Sequence, residues 1–313
     1  MRTLPRPTAL LLVATLIATL AAACTGGSSP SASPSGPAPS SPASPSTPPS
    51  SMQPKPDPST FWLRAMTTQA LPPLNVFGQL PMAVITGDGL LVTPAPIPTI
   101  YPGPAVINLQ GRPITEAGRL AIVVLAQKLG LLGGKGDFTG GTIPPGGVAG
   151  RIELTVDGNR VTISGNPQAP TGCPKEPCLP AAGTPAAFAE LWLRLSDLAS
   201  WIGPELGNPS TYDPPAYALL VGPAPKQDPI LPQAPVDWPL ASSLALFGGP
   251  VANATARCGT VSGADAVTLR AALAKANMLS QWVQDPSTNA TFGLKVRPMV
   301  PGEDACRETF GPA

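Results

Sequence analysis

The stretch RIELTVDGNRVTIS, Arg151 to Ser164, decides the fold class. Apolar and polar residues alternate on both sides of Asp157-Gly158-Asn159, which is typical of strands with one buried face. Asp-Gly and Gly-Asn pairs favour tight hairpin turns because they tolerate positive φ. The stretch therefore predicts an antiparallel β-hairpin with Gly158-Asn159 at the turn. The predicted cross-strand pairs are Val156 with Val161, Leu154 with Ile163, and Asp157 with Arg160.

Three more segments have strand patterns. Apolar runs on both sides of Thr86-Gly87-Asp88-Gly89 predict a second hairpin, from Met82 to Val92. A short strand is expected over Tyr217 to Val221. Near the C-terminus, apolar residues at positions 292, 294 and 296 alternate with polar residues and glycine, and this predicts a half-buried strand that ends at Pro298.

Three segments have the spacing and the end signals of helices. The first begins at Thr115 as N-cap and ends at Gly130, and its middle is apolar all round. The second begins at Thr184 with Pro185 in its first turn and ends at Gly203-Pro204. The third begins at Ser262-Gly263-Ala264-Asp265, a variant of the capping box, and ends at Asp285-Pro286. Its apolar stripe comprises Leu269, Leu273, Ala276, Leu279 and Val283.

Proline and glycine limit the remainder to irregular connections. The chain has 45 prolines. Two proline-rich crossings are expected, Pro94 to Pro104 and Pro223 to Pro239. The second crossing is also a candidate sub-boundary within the folded region, near 223–239. Gly133 to Gly150 is glycine-rich and predicts a mobile loop. The predicted fold class is therefore α+β, with antiparallel β-hairpins, about three helices, proline-rich connections and disulfide staples.

The N-terminus resembles a bacterial lipoprotein signal. Residues 1–23 contain Arg2 and Arg6, then an apolar run of about 16 residues and small residues before Cys24. The alternative is a transmembrane helix, but the run is shorter than the roughly 20 residues that span a bilayer. We therefore expect cleavage before Cys24 and lipidation of its thiol. This would anchor the protein in the cell membrane, on its extracytoplasmic face.

Residues 24–59 form the predicted tether, and residues 60–313 form the predicted folded region. Eleven prolines with serine and alanine predict a disordered linker, which could extend by about 3.1 Å per residue. It is interpreted as a spacer that lifts the domain through the cell wall, or as a passive linker. Cleavage removes two of the 19 basic residues and leaves all 18 acidic ones. A near-neutral chain is not expected to bind nucleic acid.

The cysteines divide into one lipidation site and four others. In an oxidising compartment an even number of cysteines favours disulfides. We expect Cys173 to pair with Cys178, and Cys258 to pair with Cys306. The alternative is a thiolate metal site, but the Cys-x4-Cys spacing is wide for zinc and the chain has no histidine. No metal and no cofactor are expected.

The lack of histidine excludes Ser-His-Asp and Cys-His catalysis. Paired carboxylates or a Ser-Lys dyad remain, although no Ser-x-x-Lys occurs. The candidate acids Glu303, Asp304 and Glu308 lie in a Pro/Gly-flanked segment that is expected to be an exposed tail. Four tryptophans could form a sugar-stacking platform, but at helical spacing core packing is the commoner role. They are Trp192, Trp201, Trp238 and Trp282.

A further set of short pieces is scattered over most of the folded region: Tyr101 to Ala105, Leu109-Gln110, Ile114 to Gly118, Val156 to Gly158, Trp238 to Leu240, Arg257-Cys258, Arg297-Pro298, and Pro301 to Glu303 before Cys306. These pieces resemble a group of uncharacterised secreted lipoproteins from high-GC Gram-positive and similar bacteria. The resemblance covers Tyr101 to Cys306, and it implies one evolutionary unit without implying an activity.

Three functions are therefore considered. The first is a non-enzymatic envelope lipoprotein that binds an envelope protein or a wall ligand, with the three loops Pro94–Pro104, Gly133–Gly150 and Pro223–Pro239 as contact surfaces or merely as tolerant connections. The second is a carboxylate-dependent hydrolase of cell-wall polysaccharide, which would need two acids about 5–10 Å apart in a cleft. The third is a solute-binding lipoprotein, which would need repeated strand-helix-strand units in two lobes.

Overall fold

The computed structural model describes residues 57–69, 71–133, 136–141, 147–172, 178–284 and 290–311. The predicted signal, Cys24, most of the tether and Cys173 lie outside the described residues. The pairing of Cys173 with Cys178 therefore stays a prediction. Residues Pro54–Ala313 form one compact unit. In the described ranges, no helix has both the length and the apolarity needed to cross a membrane.

The described residues form fourteen strands and six α-helices. In chain order they are β1 (Phe61–Gln69), α1 (Pro73–Val76), β2 (Ala83–Thr86), β3 (Leu90–Pro94), β4 (Leu109–Pro113), α2 (Glu116–Lys128), β5 (Asp137–Phe138), β6 (Val148–Val156), β7 (Asn159–Gly165), α3 (Pro185–Ser196), α4 (Leu198–Ile202), β8 (Ser210–Tyr212), β9 (Ala216–Pro223), β10 (Val236–Asp237), β11 (Gly249–Pro250), β12 (Arg257–Ser262), α5 (Gly263–Leu273), β13 (Gln281–Val283), β14 (Thr291–Pro298) and α6 (Ala305–Phe310). The α+β class is confirmed, with more and shorter helices than expected.

The strands form two sheets. The first sheet has the order β5-β7-β6-β1-β2-β3-β4-β8, and the second has the order β10-β13-β14-β9-β12-β11. Only β5–β7 and β10–β13 pair in parallel among the described strands. The segment 223–239 begins in β9 and ends next to β10, so both of its ends adjoin the second sheet.

The predicted hairpin exists as β6 and β7, but its register is wrong by two residues. Asp157 and Gly158 occupy the turn with φ of 49° and 76°, and Val156 faces Asn159. Arg160 therefore faces Thr155 rather than Asp157. A shift of two residues keeps every side chain on its predicted face, because side chains alternate with a period of two. The hairpin β2–β3 is confirmed, with Val84 opposite Val92.

The helix starts were predicted better than the helix ends. Thr115 and Thr184 cap α2 and α3 by accepting hydrogen bonds from Gly118 N and Ala187 N, each at 3.2 Å. The second helix breaks at Asp197, whose carboxylate accepts from Ser200 N at 3.1 Å and caps the separate helix α4. The predicted cap of the third helix is wrong in detail, because Ser262 makes no side-chain capping bond.

The third helix also ends earlier than predicted. It stops at Leu273, and Val283 lies in β13 rather than on a helical stripe. The chain turns at Asn277, whose side-chain Oδ1 accepts from Leu279 N, and whose backbone N–H donates to Ser280 Oγ, both at 2.9 Å. These local bonds compete with the helical ones. The predicted terminator, Asp285-Pro286, lies outside the described residues.

Helices α2 to α5 cover one face of each sheet. Helices α2, α3 and α4 cover the first sheet, where Phe188 and Ile122 pack against β1, β2 and β6. Helix α5 covers the second sheet, where Leu269 packs against Tyr217 and Leu219 of β9. The loop prediction for Gly133–Gly150 is wrong for two of its described parts. Phe138 is buried in β5, and Gly150 lies inside β6.

The segment Met299–Phe310 lies between the other two faces. Val300 packs against Phe61 and Val84 of the first sheet, while Met299 and Ala305 pack against Ala218 and Leu220 of β9 in the second sheet. Cys306 forms the predicted disulfide with Cys258 of β12, with an S–S distance of 2.04 Å. The C-terminal segment therefore joins the two sheets instead of forming an exposed tail.

Candidate functional site

The candidate acids Glu303, Asp304 and Glu308 lie in this joining segment. Glu303 is buried, and its side chain is 0% exposed; it pairs with Arg297 and accepts from Val300 N at 3.2 Å. Asp304 is exposed and caps α6 by accepting from Arg307 N at 3.2 Å. The expectation of a solvated tail is wrong, because the disulfide and the ion pairs hold the segment against both sheets.

Glu308 belongs to a second group of charges, centred on Arg64. Arg64 lies directly opposite Glu153 in the first sheet, and its Nε donates to Glu153 Oε2 at 2.8 Å. Its Nη1 pairs with Glu308 Oε2 at 2.9 Å. Arg151 adds a third contact, to Glu153 Oε1 at 2.6 Å. Both oxygens of Glu153 are thus engaged by guanidinium groups.

The pKa values of Glu153 and Glu303 are shifted in opposite directions. Burial raises the pKa of Glu153, but the hydrogen bonds and charges of Arg64 and Arg151 outweigh burial and hold this pKa below its ordinary value. Burial raises the pKa of Glu303 above its ordinary value, although Arg297 and the N–H of Val300 oppose the rise. These carboxylates serve as structural ion-pair partners, and neither is placed to reach a substrate.

Glu153 makes the free energy of unfolding depend on pH. Because its pKa is lower in the folded chain, its contribution is complete above the unfolded pKa of about 4.3 and is lost as the pH falls through the folded value. We expect Glu153→Gln to lower the free energy of unfolding near neutral pH, and the gap to wild type to narrow in acid. Urea unfolding from about pH 7 to about pH 3 measures this. Glu116→Gln, at a carboxylate whose side chain is 66% exposed, is the control; an equal narrowing there would contradict the assignment.

The tryptophans do not form a sugar-stacking platform. Trp238 and Trp282 are buried against each other edge to face, with ring centroids 6.1 Å apart. Trp192 stacks on Phe188 with ring centroids 5.9 Å apart. Trp201 packs against the buried side chains between the first sheet and helices α2 to α4. Core packing is therefore confirmed for Trp238 and Trp282, and the other two are partly buried.

A cleft of about 320 Å³ opens where the two sheets meet on the α5 side. One wall comes from the edge of the first sheet, with Leu109 of β4 and Tyr212 of β8; the other comes from the C-terminal end of α5, with Leu273 and the C-cap residue Ala274. Burial and the negative charge of Asp88 raise the pKa of Tyr212, so its phenol stays neutral. The cleft is at the lower end of the volume range of ligand sites, about 300–1,000 Å³.

The polar centre of this cleft is Arg270. Its Nε donates to the hydroxyl of the buried Tyr217 at 3.1 Å, and its Nη2 donates to Pro214 O at 3.0 Å. Its Nη1 pairs with Asp213 Oδ2 at 2.7 Å. The guanidinium is thus fixed by three separate groups within a cleft lined by both apolar and polar side chains.

An exposed apolar surface borders the cleft. We call Ile100, Tyr101 and Met278 the loop surface; their exposed fractions are 66%, 65% and 58%. Met278 N donates to Gly103 O at 3.0 Å, and the next residue along, Pro104, lines the cleft. The crossing 223–239 reaches the same place, because Asn277 Nδ2 donates to Gln233 Oε1 at 2.6 Å. Two of the three predicted contact loops therefore contact Asn277, which follows the cleft residue Ala276.

A larger groove of about 570 Å³ lies beside the disulfide. Its lining includes Arg307 and Phe310 as well as Asp304, whose carboxylate already caps α6. In the described part of the chain, no group of three or more cysteines or acids is placed to hold a metal ion. The groove therefore adds no second carboxylate that is free to act with Asp304.

Sequence reasoning missed Asp213 and Arg270. Arg270 lies inside the predicted third helix, where a basic residue is ordinarily explained as part of the solvated face. Asp213 precedes two prolines, which is an ordinary loop composition. The only usable signal was the buried strand that starts with Tyr217, since a buried tyrosine needs a hydrogen-bond partner.

Comparisons with known proteins identify no relative. No protein-family model matches the chain, and no curated protein or solved structure matches it significantly.

Proposed function

We propose that this chain is a membrane-tethered lipoprotein on the extracytoplasmic face that binds a ligand in the cell envelope and does not catalyse a reaction. The observation that carries the proposal is the cleft around Arg270, with a fixed charged group in apolar walls and an exposed apolar border. Such a combination is typical of binding sites. The predicted lipid at Cys24 and the proline-rich tether would hold this site away from the membrane.

The hydrolase alternative loses support from the ion pairs. A glycosidase needs two carboxyl groups that can both reach one sugar. Glu303 is inaccessible and Glu308 is bound to Arg64, so Asp304 alone faces the groove. The solute-receptor alternative loses support from the sheets, because nearly all the described strand pairs are antiparallel rather than parallel as in strand-helix-strand repeats.

A pair of matched variants tests the binding proposal. Ala274, the C-cap residue of α5, is exposed and lines the cleft, whereas Ala271 in the last turn of α5 is exposed and lies outside the lining. We expect the chain from residue 24, carrying Cys24→Ser, to retain an envelope component that is absent after Ala274→Trp and still present after Ala271→Trp. Mass spectrometry of the retained material measures this. Turnover of wall polysaccharide that is lost on Asp304→Asn would replace the binding proposal with the hydrolase.

A further inference from the structure

We infer that the cleft binds a carboxylate ligand with an apolar body, and that Arg270 is the residue that recognises the carboxylate. This inference rests on the proposed binding function and names the chemical class of its ligand. Three observations support it. Arg270 is fixed by hydrogen bonds to neighbouring groups, its ion pair with Asp213 is exposed to solvent, and apolar side chains form part of the cleft walls.

Arg270 is already fixed in position before a ligand arrives. Tyr217, 2% exposed, and the carbonyl of Pro214 hold two of its nitrogens. A guanidinium has five N–H donors, and the three contacts found among the described residues use three of them. A pre-positioned guanidinium loses little conformational freedom on binding and matches the planar geometry of a carboxylate.

The present partner of Arg270 is easily displaced. The side chain of Asp213 is 66% exposed, against 32% for Arg270. An exposed carboxylate gives up little when its ion pair opens, because water replaces the arginine. A ligand carboxylate inside the cleft would lie in a less polar environment, where the same charge interaction is stronger. Asp213 therefore competes only weakly with a ligand carboxylate for Arg270, and the positive charge of Arg270 prefers an anion over a cation.

The walls specify the rest of the ligand. Val106, Leu109, Leu273 and Ala276 line the cleft beside the uncharged polar side chains of Asn108 and Thr211. An apolar body buried against them would gain hydrophobic free energy in proportion to the area covered. The volume of about 320 Å³ suits a small molecule rather than a protein segment.

Three probes of equal length separate the possible charges. They are hexanoate, hexylamine and 1-hexanol, titrated by ligand-observed NMR and calorimetry into the chain from residue 24 that carries Cys24→Ser. We expect hexanoate to bind about tenfold or more tightly than the other two, which is the usual effect of a charge-assisted hydrogen bond. Ala274→Trp should abolish this binding, and Ala271→Trp should leave it unchanged.

Variants of the ion pair decide the role of each partner. Arg270→Gln should weaken hexanoate binding about tenfold or more, and Arg270→Lys should restore it only in part, because an ammonium cannot form the paired contact. Asp213→Asn should tighten hexanoate binding, since the competing carboxylate is gone. This second variant keeps the test decisive if Arg270→Gln folds poorly, which circular dichroism would reveal.

The opposite results would overturn the inference and leave the binding proposal standing. Tighter binding of hexylamine, lost on Asp213→Asn, would assign the cleft to a cation. Hexanoate binding that is unchanged by Arg270→Gln, or an absence of hexanoate binding, would refute recognition of a carboxylate by Arg270. If, in addition, Ala274→Trp leaves the retained envelope component unchanged, the binding proposal for this cleft fails as well.

Discussion

Replacing Arg297 by methionine is expected to lower the free energy of unfolding by about 3–5 kcal/mol near neutral pH, the usual cost of removing one partner of a buried ion pair. Arg297 is 4% exposed and its partner Glu303 has no exposed side-chain surface. The change also removes the hydrogen bond from Arg297 Nη1 to Phe77 O at 3.1 Å. An unpaired carboxylate would remain in the layer between the two sheets. Chemical denaturation measures the loss.

The loss should depend on pH in a defined direction. Burial already raises the pKa of Glu303, and without Arg297 the rise would be larger. A carboxyl whose pKa is higher in the folded chain favours folding at low pH, and this contribution is lost as the pH rises through the folded pKa. The free energy of unfolding of Arg297→Met should therefore be closest to that of wild type at acid pH. Denaturation of both proteins at about pH 5 and about pH 7.5 measures the difference.

A double variant separates the charge from the packing. Arg297→Met with Glu303→Gln keeps an acceptor for Val300 N and leaves no buried charge, so it should recover part of the lost free energy. Glu116→Gln, which changes an exposed pair, should cost no more than about 1 kcal/mol. Equal losses in the single and the double variant would show that the charge of Glu303 is unimportant.

Local signals in the sequence predicted the elements that depend on local chemistry. Thr115 and Thr184 were identifiable as caps because a side-chain oxygen before an apolar periodic run satisfies free N–H groups. The β6–β7 hairpin was identifiable because its alternation is regular. Its register was not, since Asp157-Gly158 and Gly158-Asn159 are both acceptable turns and differ only in which residue pairs close them.

Glycines were misleading where tertiary packing decides their role. Gly150 and Gly165 face each other across β6 and β7, and a Cβ on Gly165 would lie 2.2 Å from the ring of Phe188. Gly150 leaves the same kind of space for Trp192, at 2.7 Å. The sequence indicates a loop around Gly150, whereas the strands need glycine there so that aromatic rings of α3 can approach the backbone.

The C-terminal segment and the cleft could not be predicted for a different reason. Pro301, Gly302 and several charges suggest solvent exposure, yet both glutamates of this segment are paired with arginines. Glu303 pairs with the nearby Arg297. Glu308 pairs with Arg64, which is 244 positions away in the chain. The cleft likewise combines β8, β9 and α5. Pairings over such sequence distances are set by the arrangement of the sheets, and a single sequence contains no local pattern for them.

Membrane attachment is the second large effect that we expect, and it depends on one thiol. Cys24 follows the apolar run and small residues of the predicted signal, so Cys24→Ser should prevent acylation. Stable anchoring by lipid needs more than one acyl chain or an added basic patch, and the mature chain has fewer basic than acidic residues. Attraction of the protein to an anionic membrane surface would therefore not replace the missing lipid.

We expect wild-type protein to partition almost completely into the detergent phase, and Cys24→Ser to give a longer, unprocessed form or a released form. Phase separation followed by electrophoresis measures both. Ala21→Leu is the matched control, because lipoprotein signals more often have leucine three positions before the cysteine, so this variant should be processed at least as well as wild type. A serine variant that fractionates and migrates like wild type would refute lipidation at Cys24, and the tether would then need another explanation than a lipid anchor.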